Sequence, residues 1–194
     1  MPASVSPEIL LMVSPRATYA SLARRSGRVT VLTPLRRPLL VALVLGVSAA
    51  MAATGRVTPA LLLSTTLCWS FVVVLQAAIA LPLIAGPARR TVGLARALDL
   101  FFAGHAPWSL WMLAVVAWAP SPIGRPLTPV LVAAIVPIIL TPRIVSAFFQ
   151  EVLELDPRHA MSRAAAQQAL TWLTFILLYG TAVQLLPRVL EWLP

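Results

Sequence analysis

Five apolar stretches, each of bilayer-spanning length, constrain this chain more than any other feature. They cover residues 38–54, 60–85, 100–119, 127–149 and 164–186. A hydrocarbon layer of roughly 30 Å takes about 20 predominantly apolar residues per α-helix, with roughly 17 to 25 tolerated. Backbone polar groups in lipid have to be satisfied within their own segment, so such runs predict helices. The expected fold class is therefore all-α: a polytopic integral membrane protein with a five-helix transmembrane bundle. The first run is the shortest, and flanking Arg37 and Arg56 can extend it by snorkelling to the interfaces. Thr58-Pro59 and Thr128-Pro129 mark the starts of the second and fourth spans. In each, Thr caps the free N–H groups and Pro sits where a helix loses no bond.

Composition agrees with lipid as the solvent. The chain is 59% apolar and only 11% charged, with a mean hydropathy of +0.88, beyond what a globular surface carries. All 15 basic residues are Arg, and the net charge is +9. The absence of Lys and Asn, beside abundant Ala, Arg, Leu and Pro, suggests a GC-rich bacterial genome. The arginines flank apolar runs and form no stripe with interleaved aromatics, so anionic lipid head groups, and not nucleic acid, are the expected counter-charge. With Cys68 as the single cysteine, an internal disulfide, a CxxC redox pair and a four-cysteine zinc site are excluded. Cys68 itself reads as a small hydrophobe in a helix interior.

Orientation follows from counting Arg on alternate sides of the spans. Residues 1–37 hold six, the second connection holds Arg89, Arg90 and Arg96, and the fourth holds Arg143, Arg158 and Arg163; the other side holds Arg56, Arg125 and Arg188. Twelve against three places the N-terminus in the cytoplasm and, after five spans of an inner membrane, the C-terminus outside. Two regions result: a cytoplasmic N-terminal segment, 1–37, and a transmembrane domain, 38–190. No cleavable signal peptide is expected, because the run from Ile9 to Val13 is short and has no basic region before it. Ser14-Pro15 reads as the start of a short helix and Gly27 as its stop. Tyr19, Leu22 and Ala23 lie on one side with Arg16, Arg24 and Arg25 around the remainder, the pattern of an amphipathic helix on the cytoplasmic membrane surface.

Polar residues inside the spans are the candidate functional residues, since they are costly in hydrocarbon. His105 lies about five residues into the third span, near the cytoplasmic face, and Pro107 frees a carbonyl about one turn before it. It either hydrogen-bonds a neighbouring helix, with Trp108 covering its face, or serves a proton-linked or lipid-head-group site. Trp118 reads as an interfacial anchor. Arg143 either pairs with Asp99 or snorkels to the cytoplasmic surface. Glu151, Glu154, Asp156 and His159 in the fourth connection superficially resemble a metal set, but without a second histidine they read as a solvated loop, with Asp156-Pro157 as a turn. Gln167, Thr171, Thr174 and Thr181 share one face of the last span, which is expected to pack inward; Gly46, Ala49, Ala50 and Ala53 give the first span a small-residue face for close helix contact. No GxxxxGK[ST], HExxH or GxSxG motif occurs, so the commonest local signatures of NTP, zinc-protease and serine-hydrolase chemistry are missing.

The Ser-Pro-Arg-x-Thr-Tyr segment from Ser14 to Tyr19, set in a short cytoplasmic helix and followed by five clustered spans, resembles the bacterial branch of the Yip family. These are membrane proteins named for interacting with Ypt/Rab GTPases in eukaryotes. The resemblance spans roughly residues 10 to 190 and is architectural. It implies a non-enzymatic protein without cofactor or metal, acting as a scaffold or interaction partner in membrane organisation, with the bilayer and other membrane proteins as partners. The Asp-Leu-Tyr-Gly-Pro element of eukaryotic members is absent, and no site residue of the family carries over. The alternative is a small transporter or the membrane component of a larger permease, with Pro82, Pro107, Pro129, Pro137 and Pro142 breaking helices around a site.

Overall fold

The computed structural model describes residues 6–24, 32–118 and 128–191, and among them every regular element is a helix. The order is α1 Pro7–Val13, α2 Pro15–Arg24, α3 Thr33–Thr54, α4 Pro59–Arg90, α5 Leu94–Ala103, α6 Ala106–Trp118, α7 Thr128–Ala133, α8 Ile135–Glu151 and α9 Pro157–Glu191. Three helices are long and apolar enough to cross a membrane: α3, α4, and the stretch Thr128–Glu151 made by α7 and α8 together. The pair α5 and α6, bent by 40° at its break, makes a fourth if the two together are one span. The fifth helix of the sequence expectation corresponds to α9, 35 residues long, which is not among the helices apolar enough to cross. Gly27, read as the stop of the first helix, lies outside the described residues.

Proline placement explains most of the segmentation. Pro137 has no N–H for the carbonyl four residues earlier, at Ala133, which is where α7 ends. Pro34 sits in the first turn of α3, as Pro59 does in α4. The helix therefore starts five residues ahead of the expected span, and the boundary drawn at residue 37 falls inside it. Beyond α3, Gly55 takes φ 68°, the left-handed conformation that ends helices cheaply when no Cβ is present. The chain then re-enters α4 under a Thr58 cap on the Leu61 N–H at 3.3 Å.

Close approach, more than side-chain bulk, joins α3 to α4. Ala42, Gly46 and Ala50, spaced by fours, are buried, and the Thr65 hydroxyl donates across to the Gly46 carbonyl at 2.9 Å. A Cβ at Gly46 would lie 2.8 Å from the Thr66 Cα, so this glycine sets the separation of the two backbones. The small face is thus 42/46/50; Ala49 is half-buried and Ala53 exposed, one helical position off the expected stripe.

The core lies at the end of the bundle that carries the N-terminal helices. Tyr19, Leu11, Phe101, Phe102, Phe148 and Phe149 are all nearly inaccessible, and aromatic edges meet at 5.7 Å for Tyr19 with Phe148 and 5.8 Å for Phe101 with Phe148. Further along the helices the surface turns apolar, as in Leu63, Leu67 and Val74 of α4 and Ile176 and Leu177 of α9. Cys68 is exposed on that surface and does not lie in a packed interior.

The N-terminal segment departs from the expected lone surface helix. Its apolar face, Pro15, Thr18, Tyr19 and Leu22, is buried against α8, because Tyr19 finds aromatic partners there that lipid head groups lack. A further helix, α1, precedes it, opened by Ser6 accepting from the Ile9 N–H at 3.4 Å with Pro7 at the first helical position. That is the signature read at Ser14-Pro15, repeated eight residues earlier.

Candidate functional site

The bent pair α5–α6 breaks at Gly104 and His105, and the break organises everything near it. Pro107 cannot donate to the Ala103 carbonyl, so the helix stops there. The Gly104 N–H turns to the Phe101 carbonyl at 3.0 Å and the His105 N–H to Phe102 at 3.2 Å, while Ser109 restarts the ladder on the His105 carbonyl at 3.0 Å. Because Gly104 bonds one residue short, the Leu100 carbonyl has lost its helical donor. The Tyr19 hydroxyl supplies one at 3.3 Å. A Cβ on Gly104 would sit 3.0 Å from that hydroxyl, so the glycine is what lets α2 reach the break. Burial pushes the Tyr19 phenol well above its ordinary range, with a smaller opposing pull from Arg37.

His105 faces a cavity of about 270 Å³ between α3, α4, the α5–α6 break, α8 and α9. Its ring stacks on Phe102 at 4.9 Å and meets Phe101 edge-on at 5.4 Å. The expected hydrogen bond to a neighbouring helix is not made. The His105 Nδ1 is buried without a hydrogen-bond partner. Nor does Trp108 cover the imidazole; it meets Trp111 at 5.7 Å and Trp172 of α9 at 5.9 Å, forming another part of the cavity wall. Residues from distant parts of the sequence complete the lining: Gln76 from α4, Thr141 from α8, and Gln167, Gln168 and Thr171 from α9. Gln168 donates to Gln167 at 2.7 Å and Gln167 to Thr171 at 3.1 Å. The Gln167 and Thr171 half of the last-span stripe thus points inward as expected, whereas Thr181 is exposed.

Asp99 does not pair with Arg143. Its partner is Arg37 in the first turns of α3, which also reaches Glu8 of α1 at 3.3 Å. Arg37 wins because the α3–α5 contact carries it directly onto Asp99, while Arg143 points the other way and is exposed. Arg143 lines a second cavity, of about 620 Å³, with Arg16 and Gln150 between the start of α2 and α8.

Other arginines act as struts on backbone carbonyls. Arg96 donates to Leu22 at 2.7 Å, satisfying a carbonyl in the last turn of α2 that has no partner within the helix. Arg163 donates to the Leu83 carbonyl, whose own helical donor is missing because residue 87 is proline.

The acidic residues of the fourth connection divide into separate duties. Glu151 takes Arg16 at 2.7 Å, tying α8 to α2. Glu154 adopts φ 53° in the turn after α8. Asp156 accepts from the Arg158 and His159 N–H groups, both at 3.1 Å, and from the His159 ring. Asp156-Pro157 is therefore a helix cap followed by a first-turn proline, and not a free turn. Among the described residues no group of three or more metal-ligating side chains gathers.

His105 and Trp108 were legible as candidates because an imidazole and an indole stand beside a Gly and a Pro in an apolar run. Gln76 was missed, since a single amide in a long apolar stretch gives no spacing signal. Searches against family models, curated proteins and solved structures return no match to this chain.

Proposed function

We propose that this is a non-catalytic integral membrane protein of Yip-like type, a scaffold or interaction partner in membrane organisation whose working surface is its cytoplasmic end. In this reading it crosses a bacterial inner membrane five times, through α3, α4, the bent α5–α6 pair, α7–α8 and α9, with the N-terminus inside and the C-terminus outside. The twelve-to-three distribution of Arg supports that orientation, and the exposed Leu173, Ile176, Leu177 and Leu178 of α9 support its membrane placement.

The observation that carries the proposal is how the N-terminal helices are held. Tyr19, Arg37, Arg96 and the Arg16–Glu151 pair fasten α1 and α2 to the bundle at four points. Arg24, Arg36, Arg89 and Arg90 are left exposed at that end. A basic surface on a fixed base suits partners and anionic head groups. Affinity purification in mild detergent tests it: co-purifying membrane proteins and anionic lipids are expected, and a stoichiometric ATPase would overturn it in favour of a permease component. Reporter fusions at Gly55 and Arg90 test the five-span orientation, which fails if both fall on one side of the membrane.

A second reading, a transport component, is favoured by one specific feature. The broken third span lines a largely apolar cavity into which Gln76, His105 and Gln167 bring polar groups, and discontinuous helices line transporter sites in the same way.

A further inference from the structure

The cavity beside the break has a chemistry of its own. At about 270 Å³ it falls just under the usual range for drug-sized ligands, roughly 300 to 1,000 Å³. It could instead hold about nine waters at roughly 30 Å³ each. Its lining contains no Asp, Glu or Arg, so an ion there would lie uncompensated, and a neutral guest is selected.

Two lining atoms specify the polar part of that guest. Gln76 Oε1 and His105 Nδ1 are buried without hydrogen-bond partners. An amide oxygen only accepts, so Gln76 calls for an O–H or N–H from whatever occupies the site. The amides on the opposite wall are already engaged, Gln168 with Gln167 and Gln167 with Thr171. The need for a donor is therefore concentrated on the Gln76 and His105 side.

The remaining wall is aromatic and reaches the outside of the bundle. Trp108 and Trp172 meet edge to face at 5.9 Å and bridge α6 to α9, and Trp172 is 44% exposed. Flat rings pack well against such a surface. A guest packed against this aromatic wall at the lipid-facing side of the bundle is one that dissolves in lipid.

We propose that this cavity binds a small, neutral, ring-containing amphiphile bearing a hydroxyl group, which packs its ring against Trp108 and Trp172 and donates its O–H to Gln76 Oε1. The site stands apart from the scaffold reading and survives its failure.

The test uses the full chain in lipid nanodiscs and three probes of one shape: β-naphthol, naphthalene and β-naphthoate. Tryptophan fluorescence and melting temperature are followed as each is titrated. Saturable quenching by β-naphthol with a rise in melting temperature is expected, naphthalene being about tenfold weaker for want of one hydrogen bond and naphthoate weaker still. Gln76→Leu should bring β-naphthol down to the affinity of naphthalene. The comparison of probes on the wild type needs no variant, so a misfolded Gln76→Leu would not shelter the idea. Equal affinity for naphthol and naphthalene, binding of naphthoate as tight as naphthol, or quenching that never saturates would each overturn it.

Discussion

The phenol of Tyr19 donates to the Leu100 carbonyl at 3.3 Å across 81 residues of chain, closing the gap that the Pro107 break opens between α5 and α6. Two observations make this contact structural: the tyrosine is fully buried, and Gly104 leaves room for its hydroxyl. Tyr19→Phe keeps the ring against Phe148 and removes only the donor. The Leu100 carbonyl then stays buried and unsatisfied, at a cost of about 1 to 3 kcal/mol. Tyr19→Ala also leaves a cavity among the aromatics and should cost about 3 to 5 kcal/mol. Denaturation in detergent should rank the proteins wild type, Phe, Ala. A helix merely resting on the membrane surface would show no such ranking, and both variants would melt with the wild type.

Arg37 and Asp99 are a mostly buried pair, with side chains 15% and 11% exposed. Removing one partner leaves an uncompensated charge, typically at a cost of about 3 to 5 kcal/mol. Arg37→Gln and Asp99→Asn should therefore each destabilise strongly, and the double variant by less than the sum of the two. Arg143→Gln should leave stability within about 0.5 kcal/mol of the wild type, as an exposed substitution does. If Asp99→Asn were additive with Arg37→Gln and coupled instead to Arg143→Gln, the assignment of partners made here would be wrong.

The helical class and the positions of the long apolar helices were legible because hydropathy and Thr-Pro or Ser-Pro punctuation are local signals, decided within about 20 residues. What was not legible depends on long-range geometry. The Ser14-to-Tyr19 segment shows an apolar face, but nothing in its own residues says whether lipid or α8 covers that face. Asp99 entered only as one of two alternatives for Arg143, and that Arg37 takes it instead follows from the α3–α5 contact, which no local spacing announces. The break at Gly104 was half visible, since Pro107 announces it. That Gln76, from another helix, turns toward the same space has no counterpart in sequence spacing.

Pro87 of α4 and Arg163 of α9 form a compensating pair. Pro87 deprives the Leu83 carbonyl of its backbone donor, and the Arg163 guanidinium replaces it. Arg163→Leu should destabilise by about 1 to 3 kcal/mol in the wild-type background, since a half-buried carbonyl loses its only bond to a charged donor. In a Pro87→Ala background residue 87 regains an N–H that can bond Leu83, so the same Arg163→Leu change should cost markedly less. The readout is a double-variant cycle of unfolding free energies. Identical costs in the two backgrounds would mean that Arg163 acts through something other than this carbonyl.

Asp156 connects pH to the start of α9. Backbone and side-chain hydrogen bonds from His159, followed by that from the Arg158 N–H, hold its carboxyl below the ordinary value of 3.8. The sign of the linkage follows directly. A carboxylate whose pKa is depressed by folding stabilises the fold fully above the unfolded value, and that contribution disappears as pH falls through the folded one. Stability should therefore hold between pH 7 and 5 and then decline below about pH 4. Because the Asp156 side chain is exposed and screened by salt, the decline should be shallow and shrink at high ionic strength. Asp156→Asn keeps a cap acceptor without the charge, so its melting temperature should lie slightly below the wild type at pH 7 and converge with it on acidification. Melting curves of the two proteins at pH 7, 5 and 3 decide the matter: a gap that widens toward pH 3 would reverse the sign and remove the charged cap from the account of how α9 begins.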